Sequence, residues 1–245
     1  MRIGVFSDVH SNWEALEACL ARFAKEKVQA YIFCGDIIGY GPDPEKCVQK
    51  VLSLPLLACV MGNHDAVFLH PEIEAFFNYD AQVSLEENKK QLKEKDIRRL
   101  SALPARVQKP NFTVVHGTPA NPIQEYFTST NQFHSNYELW EGQFCFVGHS
   151  HMPFCMGGNE VAASLLLNKK EETLCRLKDE LRYVINPGAV GKPRDKNPHA
   201  SFGVWDTDGA TFRFIRQEYD IKKTLAKMER LKYPSLLMDS LSVGL

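Results

Sequence analysis

No stretch of this chain is apolar over the roughly 20 residues that a bilayer-spanning helix requires. The apolar start, Met1 to Phe6, stops at Ser7-Asp8 and is too short for a secretory signal. Neither sign of charge is in excess: 29 Lys and Arg stand against 30 Asp and Glu, a net charge of −1. That balance argues against a large basic surface and so against bulk nucleic-acid binding. Cysteine occurs seven times but never as C-x-x-C. Cys19, Cys34, Cys59 and Cys145 sit in apolar runs, so buried thiols are expected rather than a disulfide framework. A soluble, cytoplasmic protein in a reducing compartment follows as the expectation. There is no Pro/Ser-rich linker, internal repeat, Gly-rich phosphate loop or Ser-His-Asp pattern. What remains is an ordinary globular balance, 44% hydrophobic and 24% charged over 245 residues. It is read as one domain, 1–245, with a C-terminal helical segment, 220–245, packed on it.

The first two-thirds alternates short apolar runs with helical periodicity, the rhythm of an α/β fold. Strands are predicted at Ile3–Phe6, Ala30–Cys34, Leu56–Val60, Phe112–Val115 and Phe144–Val147. Helices are predicted from Trp13 to Lys27, where Leu16, Cys19, Leu20 and Phe23 share one face, and from Glu45 to Leu54 behind Pro44. The polar stretch from Asp80 to Leu100 is expected to be helical and to end before Pro104. Beyond residue 152 the pattern turns to antiparallel strands at Val161–Leu167, Leu174–Leu177, Leu181–Ile185, Ser201–Trp205 and Thr211–Ile215. Asp220 then caps a last helix that carries Ile221, Leu225, Met228 and Leu231 on one face.

Five of these strands run directly into a polar cluster: Asp8-Val9-His10, Gly35-Asp36, Gly62-Asn63-His64-Asp65, His116-Gly117 and Gly148-His149-Ser150-His151. Ligands of open α/β sheets bind at the carboxyl ends of strands, so separate loops would deliver these groups to one crest. Imidazole nitrogen and carboxylate oxygen suit Mn, Fe, Co, Ni or Zn. A carboxylate can bridge two cations, and either Asp8 or Asp36 can serve in that way. In an extended chain the members of Asp8/His10, and of His149/His151, leave on the same face. The glycines before Asp36, Asn63 and His149 permit tight turns and close approach. Seven N/O groups with a bridging water overfill a tetrahedral zinc, so the count points to two metals. Any one cluster alone reads as a cap, a turn or a structural histidine; five in this order do not.

These motifs resemble those of the calcineurin-like metallophosphoesterases, in the order D-x-H, G-D, G-N-H-D, H-G and G-H-x-H. Ser7 to Asn12, Gly35 to Pro42, His116 to Pro119 and Asn186 to Asp195 are similar to the small bacterial and archaeal phosphodiesterase branch. The likeness runs from residue 1 to about residue 220. It implies a four-layer α-β-β-α sandwich with two mixed sheets and the metals at its crest. It also implies Asp8, His10, Asp36 and His151 as ligands of one metal, and Asp36, Asn63, His116 and His149 as ligands of the other. His64 corresponds to the family's non-ligating histidine beside the phosphate. Protein phosphatases of the family carry G-D-x-x-D-R-G, but Gly39 and Tyr40 stand here in place of that second Asp and the Arg. This disfavours a dedicated Ser/Thr phosphatase and leaves open whether Asp65 partners His64.

The expected activity is therefore hydrolysis of a phosphate ester, most closely a diester, by in-line attack of a water held between two metals. His64 would protonate the leaving oxygen or hydrogen-bond the transition state. Dinucleoside-polyphosphate hydrolysis and phosphomonoester or protein phosphatase activity are the enzymatic rivals, and a non-enzymatic metal-binding scaffold is the rival of another class. The expected partner is a small phosphorylated or nucleotide-type substrate, with no membrane. Asn12 could touch phosphate or cap the helix at Trp13. Arg194 could hold phosphate bidentately or pair with Asp195 on the surface. Tyr40 could stack on a base or simply pack. A homo-oligomer contact is left open for Leu236, Leu237 and Leu241. The Lys89–Arg99 run reads as a solvated helix face.

Overall fold

The computed structural model describes residues 1–158 and 171–245. Its strands in chain order are β1 (Arg2–Phe6), β2 (Ala30–Phe33), β3 (Leu56–Cys59), β4 (Arg106–Lys109), β5 (Phe112–Val115) and β6 (Phe144–Phe146). They continue as β7 (Phe154–Gly157), β8 (Glu172–Arg176), β9 (Tyr183–Asn186), β10 (Ala200–Asp206) and β11 (Thr211–Gln217). Helices are α1 (Trp13–Lys25), α2 (Pro44–Val51), α3 (Asn63–Ala66), α4 (Tyr79–Gln91), α5 (Glu94–Ser101), α6 (Thr130–Asn136), α7 (Ile221–Arg230) and α8 (Ser235–Val243).

The strands form two mixed sheets, ordered β3-β2-β1-β10-β11-β8 and β4-β5-β6-β9-β7. Strands β1, β2 and β3 run parallel in the first sheet, and β5, β6 and β9 in the second; the remaining pairings are antiparallel. Alternation along each strand explains the layers. Ile3, Val5, Ile32, Phe144, Phe146 and Ile185 face a core shared by both sheets, with Trp205 and Phe212. Phe6 and Phe33 point the other way, into a core beneath the helices of the first sheet, with Leu16, Val48 and Leu100. Cys145, Val147 and Val184 do the same for the second sheet, against Phe133 and Trp140. Burial on both faces is why these strands read as unbroken apolar runs.

Three sequence expectations change. The Asp80–Leu100 helix is two helices, because Leu92 is extended between them and is buried in the same core as Leu100. The strand predicted at Leu181–Ile185 appears as β9, antiparallel to β7 but parallel to β6, because it lies between them. Strands β4 and β7 and helix α6 were not anticipated; each is short, and β4 is half exposed. The strand expected at Val161–Leu167 lies outside the described residues. Asp220 caps α7 as predicted, accepting from Lys223 N at 3.1 Å. Leu237 and Leu241 of α8 are buried against Tyr40, Met228 and Tyr233, so two of the three leucines set aside for a dimer contact are spent inside the protein. Among the described residues no helix is long and apolar enough to cross a membrane.

Candidate metal centre and active site

The parallel strands of both sheets end at the same edge of the sandwich. Asp8, Asp36 and Asn63 follow β1, β2 and β3; His116, His149 and His151 follow β5 and β6. All are buried, as is His10. Backbone hydrogen bonds lash the loops together, Asp8 N to Gly35 O at 2.9 Å, His10 N to Asp36 O at 3.2 Å and Gly148 N to His116 O at 2.8 Å.

The way these side chains converge differs from the extended-chain expectation. Asp8, His10, Asp36, His149 and His151 all have φ between 46° and 65°. L-residues other than Asn and Asp seldom adopt this left-handed region, and a cluster of such residues marks a functional site. The pairs Asp8/His10 and His149/His151 therefore reach one place through sharp turns, not through strand alternation. Gly62 is required for close approach: a Cβ there would lie 2.0 Å from Asp36 Oδ1.

Each of four histidines gives one ring nitrogen to a backbone carbonyl. His10 Nδ1 donates to Ile38 O at 2.9 Å, His116 Nδ1 to Cys34 O at 2.7 Å, His149 Nε2 to Gln124 O at 3.0 Å and His151 Nδ1 to Lys192 O at 2.5 Å. A carbonyl only accepts, so these nitrogens carry the hydrogens and the opposite nitrogens present lone pairs. Those lone pairs face one another: His10 Nε2 is 3.0 Å from His151 Nε2, and His116 Nε2 is 3.2 Å from His149 Nδ1. Between them lie Asp8 Oδ1 and Asp36 Oδ2, both buried without a hydrogen-bond partner. His151 Nε2 is 3.2 Å from Asp8 Oδ1; Asp36 Oδ2 is 3.3 Å from His116 Nε2 and 3.6 Å from His10 Nε2. Asn63 Oδ1 lies 3.2 Å from His116 Nε2.

Facing lone pairs and orphaned carboxylate oxygens are costly unless a cation lies among them. Bonds of about 2.0–2.2 Å put neighbouring ligand atoms about 3.0–3.5 Å apart, close to the separations found. The residues thus fit divalent metal ions, and each second ring nitrogen is tied down as metal-ligating histidines require. Burial also holds His10 and His151 well below the usual histidine range and His149 down at about 3, keeping them neutral as ligands must be. His116 goes the other way, to about 9: burial opposes its cation, but the Asp36 carboxylate beside it outweighs burial.

His64 stands apart. Its ring stacks on Phe77, with centroids 4.4 Å apart and planes at 23°, and lies edge-on to His10 at 4.9 Å. Burial, helped by the Arg194 charge, holds it down at about 4 against the pull of Asp36. Gly39 abuts it: a Cβ there would meet His64 Nδ1 at 2.4 Å, so the protein-phosphatase Asp has no room. Asp65 is not turned to His64. Its oxygens accept from the backbone N–H groups of Asp36, Ile37, Ile38 and Gly62 at 2.9–3.2 Å and fix the loop that carries Asp36.

The two residues expected at the substrate part company. Arg194 lines a cavity of about 510 Å³ over the cluster, with Asp36, Asn63, His64, His149 and His151 on its floor. Its guanidinium donates to Tyr40 Oη at 3.0 Å. Asp195 pairs instead with Arg216 in the interior. Asn12 is absent from that cavity; it is 1% exposed, accepts from Ala15 N and Thr224 Oγ, and donates to Gly191 O and Tyr219 Oη. Its polar atoms are consumed by the fold, which corrects the phosphate-contact alternative in favour of the cap. Tyr40 packs, 6% exposed, between His10, His64 and Arg194. Sequence reasoning missed Tyr126, whose ring stacks on His149 at 3.9 Å and 7°. Also missed was the cavity wall formed by Phe76, Phe77 and Leu236. Nothing local marks Tyr126, whereas the aromatic pair Phe76-Phe77 in a polar stretch was a readable signal.

Residues 1–210 match the calcineurin-like phosphoesterase superfamily domain. An uncharacterized protein of Methanocaldococcus jannaschii is 35% identical, covering 99% of this chain and 98% of its own. A metallophosphoesterase of Sphaerobacter thermophilus, 34% identical, superposes with a TM-score of 0.87 over 100% of this chain and 99% of its own. A hypothetical protein of Pyrococcus horikoshii OT3 shares the fold at 18% identity, with a TM-score of 0.80 over 99% and 98% of the two chains. The chain belongs to the calcineurin-like phosphoesterase superfamily and is a metal-dependent phosphoester hydrolase.

Proposed function

We propose that this hydrolase is dinuclear and acts most readily on phosphodiesters of small molecules. One observation carries the reading: Asp36 Oδ2 lies within ligand distance of histidines on both sides, between the groups Asp8/His10/His151 and Asp36/His116/His149. Asp8, His10, Asp36 and His151 are assigned to one ion, and Asp36, Asn63, His116 and His149 to the other, with Asp36 shared. Mn, Fe, Co, Ni and Zn all suit these donors. When bound, the ions supply Lewis acidity and an activated water.

The chain's own groups do the rest. The fixed tautomers of His10, His149 and His151 keep their lone pairs inward and proton-free, and His116, raised beside Asp36, gives up its second proton as a cation binds. Arg194, held against Tyr40, offers its remaining N–H groups to nonbridging phosphate oxygens. As the water oxygen bonds to phosphorus, the bond from phosphorus to the leaving oxygen breaks, and that oxygen takes a proton. His64, kept neutral by burial, is placed to hydrogen-bond that oxygen while solvent supplies the proton, and is oriented by its stack on Phe77. A cavity of about 510 Å³ is the size of a small-molecule site, and the filled space at Gly39 weighs against the protein-phosphatase alternative. Seven free thiols support a cytoplasmic setting. The test is hydrolysis of bis-(p-nitrophenyl) phosphate against p-nitrophenyl phosphate by protein loaded separately with Mn, Ni or Mg. Faster diester turnover is expected; a consistent preference for the monoester overturns the diesterase reading.

A further inference from the structure

Strand β7 ends the second sheet and β8 ends the first, so among the described residues each is an edge strand with a neighbour on one side only. Alternation along β7 sends Phe154 and Met156 to the core under the helix of the second sheet and Cys155 inward, between the sheets. On β8, Glu172, Leu174 and Arg176 are exposed, whereas Cys175 is buried beside its register partner Phe212, in the same inter-sheet core as Cys155. The two thiols meet there across the sheets, and Cys155 donates its S–H to the Cys175 sulfur. Neither belongs to the metal centre or to the cavity over it. Among the described residues no other cysteine hydrogen-bonds a second one, and burial pushes the remaining five thiols up.

The two sulfurs are not equivalent. The donated S–H holds Cys175 below the usual thiol range, and the same contact, with burial, pushes Cys155 well above it. Cys175 is also the more open of the two, 9% exposed against 5%. The thiolate is the form that attacks an oxidant, so Cys175 is the nucleophile and Cys155 the resolving thiol. Two sulfurs in contact need little closing of the strands to bond, and edge strands, held on one side only, can supply it. Joining the facing sheets of a sandwich is an established use of disulfides in other folds.

We propose that Cys155 and Cys175 are a site of reversible oxidation, at which a small peroxide joins the two sheets by a disulfide. The Cys175 thiolate bonds to one peroxide oxygen as the O–O bond breaks. The departing hydroxide takes up the proton that Cys175 had released, leaving water and a sulfenic acid. The Cys155 sulfur then bonds to that sulfur as its S–O bond breaks, and the hydroxide leaves as water with the Cys155 proton. Two thiols have lost two electrons and two hydrogens, and hydrogen peroxide has become two waters. In a reducing compartment the pair stays as thiols; under oxidant the bond staples the open edge of the sandwich.

The experiment treats zinc-loaded protein, whose metal has no redox chemistry of its own, with hydrogen peroxide. The remaining thiols are then alkylated and the digest is mapped by mass spectrometry. A peptide pair joined through Cys155 and Cys175 is expected, short of two hydrogens, with the other five cysteines alkylated. Closing the chain between the two cysteines should raise Tm by about 5–10 °C, and dithiothreitol should reverse both changes. Cys155→Ser removes the resolving thiol, so dimedone should label the sulfenic acid at Cys175; Cys175→Ser should leave Cys155 unlabelled at the same peroxide concentration. Both thiols alkylated after treatment of the unmodified protein, or a disulfide at another pair, overturns the site. A joined pair with Tm unchanged or lowered overturns the staple, and labelling of Cys155 rather than Cys175 overturns the assignment of nucleophile. The map of the unmodified protein decides the site even where a serine variant does not fold.

Discussion

Replacing Asp65 with Asn tests how the site is held together. Asp65 is fully buried, and its two oxygens accept five contacts from four backbone N–H groups. Oδ2 serves Asp36, Ile37 and Gly62; Oδ1 serves Ile37 and Ile38. Asn keeps one acceptor oxygen, and whichever way its amide turns, an NH2 group meets at least two N–H donors. Burial and the nearby Asp36 charge push the Asp65 carboxyl up to about 7, so its bonds count between neutral and charged ones, about 1.5–2.5 kcal/mol each with the cost of the unpaired donor included. Losing two such bonds should destabilise the protein by about 3–5 kcal/mol, a fall in Tm on the order of 10 °C for a chain of this size. The N–H groups set free belong to the loop that places Asp36, so metal affinity should fall by about 10–100-fold, as for other groups that orient ligands. Differential scanning fluorimetry and calorimetric titration with Mn measure the two effects. If Asp65 instead served His64, Asp65→Asn would lower turnover and leave Tm and metal affinity unchanged; that result would assign Asp65 to His64 and not to the Asp36 loop.

Four further substitutions test separate parts of the molecule. Asp36→Asn should abolish turnover and lower metal content measured by plasma mass spectrometry, whereas His64→Ala should cut kcat by about 10²–10⁴-fold with metal content retained; equal metal loss in both would contradict the assigned roles. Glu14, hydrogen-bonded to Lys227 and Thr224, has a pKa held low because, although burial works against its carboxylate, those bonds outweigh it. Its stabilisation is therefore present above the ordinary Glu range and lost as pH falls through the lowered value, so Glu14→Gln should cost about 1 kcal/mol near neutrality and flatten the acid limb of stability against pH; an acid limb unchanged in urea titrations would count against it. Phe146, fully buried between the sheets, should cost about 3–5 kcal/mol when replaced by Ala. If the chain is one domain, that loss should shift a single cooperative urea transition; a second transition left in place would show two units.

The candidate ligand types and the strand ends that carry them were legible in the sequence alone. Ligand chemistry needs particular residue types next to turns, and both are local properties that motifs record. The sequence also determined the layers, because strands buried on both faces must be apolar throughout, and Ile3 to Phe6 and Phe144 to Val147 are. Other matters depended on groups far apart in the chain. That Asp8 and His10 converge through left-handed turns, that Asn12 belongs to the fold and Asp65 to the loop, and that Asp195 pairs with Arg216 were settled only by tertiary contacts. Short-range patterns do not specify which partner a buried polar group finds. The same limit hid the cavity wall, where Phe76, Tyr126, Lys192 and Leu236 come from four separate segments. A metal centre is written in residue types at strand ends, whereas a substrate pocket is the space left between elements once they pack. The structure therefore had to supply the pocket.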